Sequence, residues 1–146
     1  MSPSNSKKIL LIKHGSLGDI VFALEPILAI QNKFHTSRID LVTEEKFISF
    51  FEKIKMFDQY LIDNRGGFFS TFTLIRKIIK GKYDLIIDLQ KVVLRTLNLK
   101  KIPHNKFFSA TANFLFSDFK NDNQYLFKNI YIEKLYFNIL NIISNK

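Results

Sequence analysis

The residues best suited to chemistry lie in one short turn, GSLGD, at residues 15–19. Gly15 and Gly18 would let a ligand approach the backbone closely, and Asp19 supplies a carboxylate. The turn follows an apolar run that ends at Lys13, and it precedes apolar residues at helical spacing. A turn of this kind presents unpaired N–H groups at the positive end of a helix dipole. The pattern therefore predicts a site suited to an anionic group such as phosphate.

The sequence is consistent with two roles for Asp19. A carboxylate at the start of a helix, beyond a strand end, can act as a general base toward a substrate hydroxyl. The spacing of Ser16 and Asp19 also fits a capping box, in which the carboxylate satisfies a backbone donor. The helix dipole would lower the pKa of Asp19, which keeps it ionised but makes it a weaker base. Spacing alone favours the cap and leaves the base open.

The turn is not one of the standard nucleotide-binding loops. The Walker A pattern GxxxxGK[ST] is absent, and GSLGD lacks the three glycines of the dinucleotide fingerprint GxGxxG. The chain contains no cysteine, which excludes disulfides and thiolate chemistry. Its three histidines, His14, His35 and His104, do not have metal-ligand spacing, so we expect no metal site.

The charge balance favours an anionic partner but has a second explanation. The chain has 22 Lys and Arg residues against 13 Asp and Glu, a net charge of +9. Positive charge of this size suits a nucleic acid, a phosphorylated substrate or an acidic membrane face. A composition rich in Lys, Asn, Ile and Phe, typical of A+T-rich genomes, would produce the same excess. Because no nucleic-acid module or basic–aromatic ladder is present, we expect no nucleic-acid partner.

The chain is long enough, at 146 residues, for one domain with a real core. No apolar run approaches the roughly 18–20 residues of a transmembrane helix, and the polar N-terminus lacks the hydrophobic region of a signal peptide. We therefore expect a cytoplasmic protein. Residues 1–7 are predicted as a disordered lead-in, and residues 8–146 as a single domain.

Strand and helix patterns alternate along the first ninety residues. Strands are predicted at 8–13, 37–42, 59–62 and 83–88, and helices at 17–34, 44–55 and 68–80. The alternation predicts an α/β protein with a Rossmann-like parallel sheet and helices on both faces. We expect Pro26 to kink or restart the first helix, and Gly81 to cap the third. The third helix is predicted to bury its apolar side chains, Phe69, Phe72, Ile75, Ile78 and Ile79.

The pattern weakens beyond residue 90. A short helix is predicted at 92–99, a fifth strand at 106–109 and a final helix at 129–143. Residues 110–124 are mixed and contain turn-forming Asn and Asp. The phenylalanines between residues 107 and 119 are expected to pack on the sheet rather than to form an exposed patch.

Three segments in order resemble glycosyltransferase family nine, the ADP-heptose:lipopolysaccharide heptosyltransferases. The segment ILLIKHGSLGDIVFALEPILAI is similar to the family's opening strand, its K/R-x-G-S-hydrophobic-G-D turn and its proline-containing helix. SRIDLVTEEKF resembles the family's second strand and the turn after it. KYDLIIDLQ resembles its fourth strand, and together the segments cover about residues 8–90.

The resemblance implies the N-terminal half of a GT-B fold, in which two Rossmann-like domains face each other across a cleft. It implies inverting transfer of heptose from ADP-heptose, or a similar nucleotide sugar, to the core of lipopolysaccharide, with no required metal or cofactor. The N-terminal domain would hold the anionic sugar acceptor, and Asp19 would deprotonate the acceptor hydroxyl. We expect the C-terminal nucleotide-sugar domain to be absent from this chain, which would then be incomplete alone. It would be either a truncated gene product or one part of a split enzyme with a separate C-terminal half as partner.

The resemblance also implies a set of substrate-binding residues, namely Lys13, Gly15, Ser16, Gly18, Asp88 and Gln90. Lys13 has the alternative of an ordinary strand-end lysine, and Asp88 and Gln90 have that of loop hydrogen bonding. Arg95 lies about one position late for the family's arginine, so its role stays open. His14 is predicted to be a partly exposed turn residue without a catalytic role, and Arg65 to be solvated.

Other functions compete with this one. A lone Rossmann-like domain could bind an anionic sugar or nucleotide without catalysis. Nucleic-acid binding rests on charge alone and ranks last. For the transferase, the expected location is the cytoplasm, with peripheral contact at the inner face of the inner membrane.

Overall fold

The computed structural model describes residues 7–90, 100–109 and 117–118. These residues form strands β1 (Lys8–Ile12), β2 (Arg38–Thr43), β3 (Gln59–Ile62), β4 (Leu85–Asp88) and β5 (Lys106–Ser109), and helices α1 (Leu17–Lys33), α2 (Glu45–Ile54) and α3 (Gly67–Gly81). Each of these elements begins and ends within two residues of its predicted bounds. The helices predicted at 92–99 and 129–143, the mixed stretch 110–124 except residues 117–118, and Arg95 lie outside the described residues.

The strands form one parallel sheet in the order β3-β2-β1-β4-β5. Strand β1 is central, and its last residue, Ile12, pairs with Val42 on one side and Asp88 on the other. After β3 the chain crosses to the opposite side of β1, so the strand order reverses between β1 and β4. In open α/β sheets such a reversal leaves a crevice beyond the carboxyl ends of the strands. The sheet therefore places its crevice beside Ile12 and Asp88.

Alternate residues of the central strands divide the core into two layers, because successive side chains of a strand point to opposite faces. Ile9 and Leu11 belong to a layer completed by α1 and α2, with Ile20, Ala23, Ile27, Ile30, Phe47 and Phe51. Leu10 and Ile12 belong to a second layer, with Ile78 of α3. The predicted parallel sheet with helices on both faces is confirmed.

Helix α1 is continuous through Pro26, so of the two predicted effects, a kink or a restart, the restart does not occur. The proline is buried on the inward side of the helix, together with Ile27 and Ile30. A proline inside a helix loses one hydrogen bond, which costs about 3 kcal/mol in an isolated helix. Packing of the apolar inward face against the sheet offsets that loss here.

Helix α3 does not bury the aromatic residues that its periodicity predicted to be inward. Phe69 is 83% exposed and Phe72 is 57% exposed, while Ile78 is buried. Apolar residues occur on more than one side of α3, so periodicity alone could not select the inward side. The stripe that packs on the sheet runs through Leu74, Ile75 and Ile78, which turns the phenylalanines outward.

Gly81 is not the left-handed cap that we predicted. It ends α3, and Lys82, with φ 49°, adopts the left-handed conformation after it. A Cβ on Gly81 would lie 2.3 Å from the ring of Tyr83. The glycine is needed because the tyrosine packs against it, a contact that sequence pattern could not reveal.

Tyr83 closes a buried polar cluster near the amino end of the sheet. Its hydroxyl donates to Asp40 Oδ2 at 2.8 Å, and Arg38 Nε lies 3.0 Å from Asp40 Oδ1. Burial raises the pKa of Tyr83 well above its usual value, and the bond to Asp40 adds to the shift. We expect Tyr83→Phe to lower the free energy of unfolding by about 1–3 kcal/mol, because the fully buried Asp40 loses a donor.

Urea denaturation of both proteins checks the Tyr83→Phe prediction. Tyr60→Phe is the matched control, because the buried Tyr60 hydroxyl makes no hydrogen bond of good geometry with any described residue. The control should change the midpoint little. Equal effects of the two substitutions would contradict a specific role for the Tyr83–Asp40 bond.

None of the described helices combines the length and apolar character that a bilayer-crossing segment requires.

Candidate functional site

The turn between β1 and α1 lies at the carboxyl edge of the sheet, where the sequence predicted a site. Gly15 has φ +136°, a conformation that side-chain-bearing residues rarely adopt. A Cβ at this position would lie 2.7 Å from Asp19 Oδ2. The glycine is thus required both by the backbone conformation and by the position of the carboxylate behind it.

Ser16 and Asp19 form the capping box that their spacing predicted. The Ser16 N–H and hydroxyl both donate to Asp19 Oδ2, at 2.7 and 2.8 Å, and the Asp19 N–H donates to Ser16 Oγ at 3.3 Å. The backbone and side-chain bonds from Ser16 lower the pKa of Asp19, and the charge of Lys13 lowers it further. No described residue donates to the second oxygen, Oδ1, so the carboxylate can cap the helix and still accept a proton from a ligand.

Gly18 differs from Gly15 in that the fold does not require it. It is exposed in the first turn of α1, and a Cβ there would meet only Ser16 Oγ, at an ordinary 3.7 Å. We expect Gly18→Ala to leave the free energy of unfolding unchanged or to raise it by up to about 1 kcal/mol, because alanine is the better helix former. Thermal denaturation of the two proteins checks this. A clear loss of stability would contradict the view that Gly18 serves ligand approach rather than the fold.

Lys13 is a buried cation rather than an ordinary solvated strand-end lysine. It is 6% exposed, and its N–H donates to the Val42 carbonyl at 3.0 Å, which continues the sheet pairing past Ile12. The positive charge of Lys13 helps to lower the pKa of Asp19. Contact with a substrate anion remains a prediction for Lys13.

Glu44, which sequence reasoning missed, links the turn to the neighbouring strand ends. Its Oε1 accepts from the Gly15 N–H at 3.4 Å and lies 2.9 Å from Arg65 Nη2, and its Oε2 lies 2.7 Å from Lys46 Nζ. Burial alone would raise the pKa of Glu44, but Lys46, Arg65 and the Gly15 N–H together lower it below its usual value. Arg65 is therefore paired, and not simply solvated as predicted. The sequence position of Glu44 could have indicated it as a site residue, because it directly follows a strand of a parallel sheet.

Asp88 and Gln90 lie at the carboxyl end of β4, beside the strand-order reversal, and connect three strands. Asp88 is fully buried, and its carboxylate accepts from Ser109 Oγ at 3.0 Å and from the Gln90 N–H at 2.9 Å. The Gln90 side chain donates to the His14 carbonyl at 2.9 Å. These contacts fit the loop hydrogen bonding that the sequence left open, and ligand contact remains a prediction for both residues.

His14 is buried, which corrects the expectation of a partly exposed turn residue. Only 2% of it is exposed, and its Nε2 lies 3.1 Å from Asp63 Oδ2. The alternation of β1 continues past the end of the strand, so residue 14 falls on the same side as Leu10 and Ile12. There it helps to line a cleft of about 80 Å³. The lining of the cleft consists of Ile12, His14, Val42, Asp63, Thr71, Leu74, Ile75, Ile78, Asp88 and Gln90.

The carboxyl edge thus carries two adjoining features. One is the start of α1, where Asp19 and Lys13 stand beside helix N–H groups, an arrangement suited to proton abstraction next to an anionic group. The other is the cleft between the sheet and α3, with the imidazole of His14 in its wall. Across residues 7–90, 100–109 and 117–118, no three His, Asp or Glu side chains are grouped so that they could hold a metal ion.

Comparison with known proteins finds similarity in structure alone. No protein-family model and no curated protein matches the chain. Among solved structures, a glycosyl transferase of family 9 from Veillonella parvula DSM 2008 matches with a TM-score of 0.70 and 21% identity, over 95% of this chain and 41% of that one.

Two structures of the E. coli heptosyltransferase WaaC also match. The one with ADP-2-deoxy-2-fluoro heptose has a TM-score of 0.69 and 17% identity, over 91% of this chain and 47% of the enzyme. The one with ADP has a TM-score of 0.70 and 16% identity, over 91% and 45%. The chain therefore spans less than half the length of each protein that it resembles. The resemblance seen in the sequence motifs is confirmed at the level of the fold, which is that of the N-terminal, Rossmann-like half of these GT-B glycosyltransferases.

Proposed function

We propose that this chain is the acceptor-binding domain of an inverting, heptosyltransferase-like glycosyltransferase, with Asp19 as the general base. The main support is the arrangement of Asp19 at the carboxyl edge of the sheet. Two bonds from Ser16 hold one oxygen in place, while no described residue donates to the other. A fixed carboxylate with one accessible oxygen can take the proton of an acceptor hydroxyl as that hydroxyl attacks the sugar.

The neighbouring residues supply what an anionic acceptor needs. Lys13 brings a positive charge next to the turn, and the N–H groups at the start of α1 favour a phosphate or carboxylate. Gly15 and Gly18 keep the backbone open to close approach, and Ser16 positions the base. Asp88 and Gln90, and the cleft that they line, would contact the rest of the acceptor.

The donor would be held mainly by a second Rossmann-like domain, on this polypeptide or on a separate one. The E. coli protein WaaC has been solved with ADP and with an ADP-linked fluoroheptose. We propose ADP-heptose or a similar nucleotide sugar as the donor here, and the core of lipopolysaccharide as the acceptor. In that arrangement residues 8–146 form one domain, and a second domain completes the cleft. The reaction would take place in the cytoplasm at the inner membrane.

Peripheral membrane contact has its own support in α3. Residues 64–83 contain five basic and no acidic residues. Phe68, Phe69 and Phe72 are largely exposed on the same helix. A helix with exposed aromatic residues and positive charge suits the surface of an anionic bilayer. Co-sedimentation with phosphatidylglycerol vesicles, but not with phosphatidylcholine vesicles, is the expected result, and equal behaviour with both would contradict it.

Titration of the chain with the acceptor and, separately, with the donor tests the proposal. Isothermal calorimetry with a heptose-free inner-core oligosaccharide should show saturable binding, while ADP-heptose should bind weakly or not at all. Gly18→Ala provides a variant of unchanged fold that should bind the oligosaccharide less tightly, because a methyl group then stands where the ligand approaches. Binding of ADP-heptose without the oligosaccharide would favour a nucleotide-sugar domain instead.

The second candidate is a binding module without catalysis. It is favoured by the lowered pKa of Asp19, since a carboxylate stabilised by Ser16 is a weak base. Such a module would bind the anionic sugar equally well with asparagine at position 19. Loss of turnover without loss of binding in that variant therefore separates the two functions.

A further inference from the structure

His14 is the least satisfied buried polar side chain at the carboxyl edge. Its ring is 2% exposed, yet neither Nδ1 nor Nε2 makes a hydrogen bond of good geometry with any residue that the structure describes. The Nε2 atom lies at ion-pair distance from Asp63 Oδ2, 3.1 Å, but the two are poorly aligned. A buried polar group left unpaired costs about 1–3 kcal/mol. Because such groups are rare in folded proteins, an unpaired imidazole in the wall of a cleft points to a missing partner.

The cleft around His14 has the mixed lining of a small ligand site. Leu74, Ile75 and Ile78 of α3 form an apolar wall, while the polar groups come from two strand ends, Asp63 after β3 and Asp88 and Gln90 at the end of β4. It lies where the strand order reverses, the usual place for ligands in open α/β sheets. At about 80 Å³ the cleft has room for two or three water-sized groups, each of about 30 Å³. It would therefore take one end of a ligand rather than a whole sugar or nucleotide.

The polar groups around the cleft determine which chemical group of a ligand it can bind. Two carboxylates, Asp63 and Asp88, line it, and neither Lys nor Arg is among its described lining residues. The carboxylate oxygens and a ring nitrogen without a proton are all hydrogen-bond acceptors, so the described lining favours a ligand group that donates a hydrogen bond over an anion that only accepts. The Asp63 carboxylate lies next to Nε2, so in the tautomer with its proton on Nε2 the ring offers Nδ1 as an acceptor.

We propose that the His14 cleft binds a hydroxyl-bearing carbon of the ligand, with the hydroxyl donating to Nδ1. The cleft would then recognise the neutral, hydroxylated end of a sugar, while the start of α1 receives its anionic part. That the ligand is the acceptor sugar rests on the proposed function. The preference of the cleft for a hydroxyl over an anion follows from the acceptors among its described lining residues and does not depend on that function.

Imidazole ¹⁵N NMR of the whole chain tests this inference, with glycerol as the neutral probe and inorganic phosphate as the anionic one. Glycerol should shift the His14 Nδ1 resonance saturably. Phosphate should leave that resonance in place and shift the backbone amides of residues 15–19. The absence of a saturable glycerol shift at Nδ1, or an equal shift with phosphate, would overturn the proposal without touching the proposed function.

Two substitutions of His14 separate its ring nitrogens. An asparagine oxygen can stand near the position of Nδ1, so His14→Asn should keep glycerol affinity within about threefold, as amide resonances of Thr71 and Ile75 would report. A glutamine amide reaches the position of Nε2 and can still contact Asp63, so His14→Gln should lose about tenfold or more, or about 1.4 kcal/mol. Equal losses in both variants would overturn the assignment of Nδ1. If both variants still bound the oligosaccharide, the chain would remain an acceptor-binding domain, but the cleft would not be part of its acceptor site.

Discussion

Replacing Asp19 with asparagine is expected to reduce glycosyl transfer by about 10²–10⁴-fold, the usual contribution of a general base. Asparagine has the size of aspartate and keeps an oxygen that can accept from Ser16, so the capping box should survive in part. What is lost is the ability to take a proton from the acceptor hydroxyl. Acceptor affinity should change little by comparison, so the substitution should lower kcat and leave the affinity for the acceptor nearly unchanged.

The measurement requires a completed active site. The chain can be joined to, or expressed with, the part of E. coli WaaC that the structural match does not cover, and transfer from ADP-heptose then followed. Ser16→Ala is the matched control, because it removes the cap, at about 1 kcal/mol of stability, but keeps the carboxylate. Turnover in the Asp19→Asn enzyme equal to that of the parent would leave Asp19 as a cap only.

The pH dependence of this site has a definite sign. Because bonds from Ser16 lower the pKa of Asp19 below its ordinary 3.8, the carboxylate is ionised at every pH near neutrality. The stabilisation from its bonds is fully present above the unfolded-state pKa and is lost as pH falls through the lower folded-state value. An acid limb of kcat/KM that belongs to Asp19 in the free protein must therefore lie below pH 3.8. A limb near neutrality would come from another group.

Gly15→Ala is expected to lower the free energy of unfolding by about 1–3 kcal/mol, the usual cost of holding a side-chain-bearing residue in such a backbone conformation. The new Cβ would also lie 2.7 Å from Asp19 Oδ2 and 2.8 Å from Asp19 Cβ, so the base would have to move. Both the stability and the acceptor affinity should therefore fall. Urea denaturation and oligosaccharide titration measure the two effects separately.

Gly18→Ala is the matched control for this substitution, three residues away in the same turn. It adds the same methyl group where the fold has room, so it should impair binding without destabilising the protein. If the two alanine variants were equally stable, the positive φ of Gly15 would not cost a side-chain-bearing residue the expected free energy of unfolding. If neither changed affinity, the turn would not be the place where the acceptor approaches.

The exposed phenylalanines of α3 and the buried His14 lie on the same side of the sheet. Phe68 and Phe69 begin the helix whose later residues, Leu74, Ile75 and Ile78, wall the cleft. A membrane or acceptor surface that contacts the start of α3 would therefore lie close to the entrance of the site. The proposed membrane contact and the proposed acceptor site are compatible on this geometry.

Much of the fold could be predicted because its causes are local. The apolar runs of β1 and β4, the helical spacing of α1 and the Ser16–Asp19 capping box all depend on residues a few positions apart. The parallel arrangement follows from alternation of strands and helices, since successive parallel strands need a crossover. Placing Asp88 and Gln90 at the same sheet edge as Gly15 needed only that arrangement, because all carboxyl ends of a parallel sheet share one edge.

The rest was decided by tertiary structure, and each case involves residues far apart in the chain. Glu44 reaches Gly15 across 29 positions, and Gln90 reaches the His14 carbonyl across 76. Such pairs form only after strand order and register are set, and no spacing rule anticipates them.

The burial of His14 and the exposure of Phe69 have the same physical origin. Which side of an apolar-rich helix faces the sheet, and how far a strand's alternation continues past its end, depend on packing against partners from elsewhere in the chain. From sequence alone, then, came the strand, the anion-favouring turn and the capped helix that carries Asp19. The cleft beside it, and the buried imidazole of His14 within that cleft, arise only when the carboxyl ends of β1, β2, β3 and β4 meet α3.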